Sequence, residues 1–103
     1  MVRVGLLLRL EAKPGKEAEV AAFLTSALRH IEAEDGTTAW FGIQIGPSTF
    51  GIFDAFPDED GRKAHMTGEV PGLLGAQWPA LLTSPPSVEK VDILAAKIPA
   101  ATR

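Results

Sequence analysis

The chain contains no cysteine, no tyrosine and no asparagine in 103 residues. Without a thiol there is no disulfide, no iron–sulfur ligand and no thiolate nucleophile. Without phenolic hydroxyls or asparagine amides, several common catalytic arrangements cannot be assembled. Positive charge is scattered: Lys and Arg total 10 against 13 Asp and Glu, leaving a net charge of −3. No Lys/Arg run occurs, which speaks against nucleic acid and anionic membrane as partners. Long apolar runs are missing too. Gly5-Leu6-Leu7-Leu8 is interrupted by Arg9 and is too short for a signal-peptide core or a bilayer span. A cytoplasmic protein is expected. There is no Gly-x-Gly-x-x-Gly or Walker pattern, and His30 and His65 have no carboxylate cluster at ligand spacing. No bound nucleotide or metal is therefore expected.

What is present suits a globular domain, with 46% apolar and 22% charged residues. One domain is expected over residues 1–98, with a flexible tail at 99–103. Val2 to Glu11 alternates as a strand, with Val4, Leu6, Leu8 and Leu10 on one face. After the Lys13-Pro14-Gly15-Lys16 turn, Val20, Phe23, Leu24, Ala27, Leu28 and Ile31 form the stripe of a helix running to about Glu34, stopped by Gly36. Thr37–Ile45 and Thr49–Phe56 read as strands joined by the Gly46-Pro47-Ser48 turn. Pro57-Asp58 opens a short helix, Gly68 interrupts it, and Val70–Leu82 forms another with Leu74, Trp78, Leu81 and Leu82 inward. Val88–Lys97 is predicted as the last strand.

The order βαββ(αα)β predicts an α+β fold of the ferredoxin-like, split βαβ type: a four-stranded antiparallel sheet with helices on one face. Leu7, Phe53 and Ala55 then lie on the bare face, which favours a homodimer that presses two such sheets together.

The chain resembles the antibiotic biosynthesis monooxygenase-like family of the dimeric α+β barrel superfamily, over about Val2 to Lys97. The resemblance rests on Arg9-Leu10-Glu11-Ala12 followed by Pro14-Gly15-Lys16, on Asp35-Gly36-Thr37-Thr38, and on Asp54-Ala55-Phe56-Pro57-Asp58 leading to Ala64-His65. It implies a dimeric α+β barrel and an oxidation by O2 that needs no metal, haem or flavin, on an aromatic phenol or quinol. The family also includes haem-degrading enzymes with an Asn-Trp-His site, but this chain lacks asparagine. Asp54 stands where relatives commonly place an aromatic residue.

His65 is the candidate general base, since an imidazole near neutrality can take a phenolic proton. Asp54, flanked by Phe53 and Ala55, is the second catalytic candidate and would orient His65; a helix cap or an ion pair with Arg62 or Arg9 is the bland alternative. Phe23, Trp40, Phe41, Phe50 and Trp78 are candidates to line an apolar pocket under His65 for a small aromatic or apolar molecule, although for any one of them a place in the core is the plainer reading. Arg9 is a candidate for an oxyanion or for an interface ion pair. His30 reads as exposed and receives no role. Two rivals to the oxygenase stand: a non-catalytic homodimer that binds an apolar metabolite, and a His-dependent isomerase or dehydratase.

Overall fold

The computed structural model describes residues 1–99. The expected tail therefore lies, beyond Pro99, outside the described residues. The elements are β1 (Val4–Glu11), α1 (Glu17–Ile31), β2 (Ala39–Gln44), β3 (Thr49–Phe56), α2 (Glu59–Met66), α3 (Glu69–Leu81) and β4 (Ser87–Asp92). They build one antiparallel sheet in the order β2-β3-β1-β4, with the helices on one face. This is the expected ferredoxin-like arrangement.

Alternation sorts the side chains. Leu6, Leu10, Phe50, Ile52, Asp54 and Phe56 are buried on the helix-covered face. The register draws rows across the other face. Phe41 stands opposite Phe53, Phe53 opposite Leu7, and Leu7 opposite Glu89. Phe41, Ile43, Ile45 and Leu7 are exposed there.

Helix α1 carries Glu17 and Glu19 in its first turn and Arg29 and His30 in its last, matching the helix dipole at both ends. Its buried stripe is Val20, Phe23, Leu24, Ala27 and Ile31; Leu28, expected in that stripe, is exposed at its flank. The helix also ends earlier than expected, at Ile31 rather than Glu34. Gly36 is not a left-handed helix stop, since Gly15 is the one positive-φ residue among those described. Its role is close approach: a β-carbon there would meet the Gly61 Cα at 3.2 Å. Helix α2 starts where Asp58 caps it, accepting from the Gly61 backbone N–H at 2.9 Å.

Strand β4 stops at Asp92 rather than Lys97. Asp92 pairs with Val4, the first residue of β1, so past this point the strand has no further partner backbone to follow. One more bond, from Ile93 N–H to the Arg3 carbonyl at 2.8 Å, finishes the ladder.

Candidate active site

Three elements converge on one imidazole. Asp54 projects from the middle of β3 toward the helices and is wholly buried. An isolated carboxylate at that depth would be very costly. His65, also buried, reaches it from the inner side of α2, with Nε2 3.0 Å from Asp54 Oδ2. The pair is off-axis for a straight N–H···O bond, and neither Asp54 oxygen has an aligned donor among the described residues. The contact is an ion pair more than a directed hydrogen bond.

The other ring nitrogen is also occupied. Nδ1 lies 2.7 Å from Oε1 of Glu34, on the turn after α1. The Thr37 hydroxyl donates to the same oxygen at 2.7 Å and holds it in place. Burial penalises a charged imidazole, yet the carboxylates of Asp54 and then Glu34 outweigh it and raise the pKa of His65 above its ordinary value. With both N–H groups facing carboxylates, the protonated ring is the better satisfied form. A ring so engaged has no free lone pair for a substrate. Phe56 packs against it, ring centroids 5.4 Å apart.

Asp54 and His65 form the polar end of a cavity of about 190 Å³. Leu6, Leu8, Ile52, Val70 and Leu74 make its apolar walls, and Met66, Gly75 and Val88 are the exposed residues that line it. Behind His65, a shallower groove of about 310 Å³ runs past Glu34, Thr37, Gly61 and Glu69.

The structure thus brings the two catalytic candidates together and leaves the six binding candidates away from this cavity. Phe23 and Phe50 are buried in the main core, and Trp78 packs partly buried against it. Trp40 and Phe41 are neighbours on a strand, so they point to opposite faces. Trp40 sits against the core beside α1, while Phe41 is 55% exposed on the bare face. Both border a separate groove of about 410 Å³ between α1 and β2. Arg9 is exposed on the bare face, one residue out of phase with the Leu8 and Leu10 that face inward. The expected aromatic pocket under His65 is therefore an aliphatic one. Arg62, offered as a partner for Asp54, instead pairs with Glu59 and donates to the carbonyls of Gly5 at 3.1 Å and Val91 at 3.3 Å. His30 is not free in solvent: its Nδ1 is 3.2 Å from Glu69.

Glu34 is the site residue that sequence reasoning missed. Only the spacing Glu34-x-x-Thr37 hinted at it, as a carboxylate with a hydroxyl partner one turn on.

The fold is shared with solved structures described as antibiotic biosynthesis monooxygenases. A solved structure described as antibiotic biosynthesis monooxygenase superposes with a TM-score of 0.72 at 18% identity, covering 89% of this chain and 99% of that one. Rv0793 from Mycobacterium tuberculosis gives 0.75 at 20% identity, covering 97% and 99%. Much nearer is NE2512, a protein of unknown function from Nitrosomonas europaea, with 57% identity over 98% of both chains and a TM-score of 0.96. The chain belongs to the same family as NE2512. No protein-family model and no curated protein matches the chain.

Proposed function

We propose that this protein is a cofactor-free oxidase or monooxygenase of a small phenol or hydroquinone, using O2, with Asp54 as proton acceptor and His65 as its charged partner. One observation carries the reading: a fully buried carboxylate with no aligned donor stands at the end of an otherwise apolar cavity. A buried acceptor of this kind calls for a donor. The hydroxyl of a bound ligand supplies it. The likeness of the fold to antibiotic biosynthesis monooxygenases supports the reaction class.

The cavity bounds the ligand. At about 190 Å³ it falls below the ordinary range of ligand pockets, roughly 300–1,000 Å³. It exceeds the volume of about 150 Å³ known to admit benzene. A single substituted ring fits; a polycyclic phenol does not.

For a hydroquinone the reaction balances simply. One hydroxyl proton passes to Asp54, and the resulting anion is a far better electron donor than the neutral ring. Two electrons pass from the ring to O2. The proton held by Asp54 and the second hydroxyl proton end on the reduced oxygen, giving quinone and hydrogen peroxide. His65 stands beside Asp54 with Nε2 3.0 Å from Oδ2, so a positive charge on the ring would sit directly against the carboxylate that takes the proton. Asp54 replaces His65 as the base because both imidazole nitrogens are already engaged.

The exposed apolar row on the bare sheet face supports a homodimer closed through that face. Among the described residues no helix is long and apolar enough to cross a membrane. Together with the lack of cysteine, this suits the cytoplasmic location we propose.

The test is oxygen uptake with one-ring hydroquinones and phenols, chelator present, for the wild type and Asp54→Asn. Uptake that falls about tenfold or more in the variant supports the reading. Binding of a phenol with no uptake favours the non-catalytic dimer. Solvent deuterium appearing in a substrate without uptake favours the isomerase.

A further inference from the structure

We propose that Glu34 is a positioning residue of this site, which pins the Nδ1 proton of His65 and so dedicates Nε2 to Asp54. This rests on the functional reading above and extends it to a residue outside the cavity.

The geometry divides the two carboxylates by task. Asp54 belongs to the cavity. Glu34 belongs to the groove behind the ring and does not line the cavity. The imidazole separates them, so Glu34 cannot touch a ligand held against Asp54. What it can touch is Nδ1, at 2.7 Å, in an aligned hydrogen bond. The Asp54 contact at Nε2 is not aligned. The directed bond at Nδ1 therefore sets the ring's orientation, and the ion pair at Nε2 follows from it.

The consequence is chemical. A neutral imidazole carries one proton, and Glu34 holds it on Nδ1. Nε2 would then show a lone pair to a carboxylate, which is repulsive unless a further proton lies between them. The doubly protonated ring is consequently the favoured form beside Asp54, and the acceptor left for substrate is an Asp54 oxygen with no aligned donor. Remove the Nδ1 anchor and the neutral ring can place its one proton on Nε2 instead. Asp54 is then satisfied by a neutral partner, with no positive charge beside it.

Other charged groups nearby are committed elsewhere. On α2, Arg62 faces Glu59 and the carbonyls of Gly5 and Val91. On α3, Glu69 faces His30 of α1. From β3 only Asp54 reaches the ring, and from the turn after α1 only Glu34, among the described residues.

The experiment is nitrogen-15 NMR of the histidine ring across a pH series in the wild type, Glu34→Gln and Thr37→Val. A glutamine keeps the size of the side chain but carries no charge, so at Nδ1 it competes poorly for the ring proton with the Asp54 carboxylate at Nε2. Wild-type His65 is expected to titrate above the ordinary imidazole value, with both nitrogens protonated below its titration. Glu34→Gln should titrate about one unit or more lower, with Nε2–H the major neutral form, and Thr37→Val should shift the same way by less. Circular dichroism confirms that each variant is folded. Unchanged titration and tautomer in Glu34→Gln would overturn the positioning role. Hydroquinone kinetics separate this from the function itself. A shifted titration with no oxygen uptake in any form leaves the positioning role standing and sinks the oxidase. A shifted titration with kcat lowered about tenfold and KM little changed supports both.

Discussion

The backbones of Gly36 and Gly61 touch, so closely that a β-carbon on Gly61 would stand 2.7 Å from the Gly36 carbonyl oxygen. That contact seats the turn carrying Glu34 against the helix carrying His65. Two effects oppose each other in Gly61→Ala. Helix propensity favours alanine by about 1 kcal/mol. Overpacking against a fixed carbonyl costs about 1–3 kcal/mol. The expected outcome is a net loss of stability in urea denaturation, with the His65 titration moved toward its ordinary value as the turn is pushed away. A gain in stability with an unmoved titration would show that the contact is slack.

Stability should depend on pH through His65. Its pKa is raised in the folded state above the ordinary value of 6.5, burial opposing the charge and Asp54 and Glu34 favouring it more strongly. The folded state therefore binds this proton more tightly than the unfolded chain does. The contribution is fully present below pH 6.5 and is lost as pH rises through the folded value. Urea midpoints across that window should decline with rising pH in the wild type, and the decline attributable to His65 should vanish in His65→Gln.

Filling the cavity should weaken binding without unfolding the protein. Leu8 lies on β1 between Ile52 and Val88, and all three line the cavity. In Leu8→Phe the ring enters space that is otherwise free, so the stability change should stay within about 1–3 kcal/mol. Calorimetry with a one-ring phenol should show affinity reduced by about tenfold or more. Retained affinity would place the ligand elsewhere, with the groove beside Trp40 the next candidate.

The bare sheet face gives a fourth test. Phe41 is 55% exposed in the row it forms with Phe53 and Leu7. Phe41→Asp puts charge into that apolar row. Light scattering behind a sizing column should find a dimer for the wild type and a monomer for the variant. A wild-type monomer would rule out the two-sheet assembly.

Much of this could be read before the structure was known. The limits of β3 were legible to the residue, because Gly46-Pro47-Ser48 and Pro57 bracket an apolar run. So was the inward side of α2, and with it the meeting of His65 and Asp54. The aromatic pocket was misplaced because aromatic character was weighed above alternation. Trp40 and Phe41 are adjacent on a strand, so their side chains leave it toward opposite faces. Glu34 was not legible, since it is joined to His65 across 31 positions by a turn whose path depends on two glycines touching. The early end of β4 is likewise tertiary: Ile93 and Leu94 look like strand residues, and β1 offers no ladder for them to continue.

The placement of β4 bears on how the protein is made. Val88 and Pro86 supply one side of the cavity, and Val88 pairs with Leu8 near the opposite end of the chain. On a ribosome, β1 must wait beside an unfilled edge until β4 has emerged. During that interval Leu6 and Leu8 lack their β4 neighbours. Until β4 docks, the cavity lacks one side and cannot enclose a ligand.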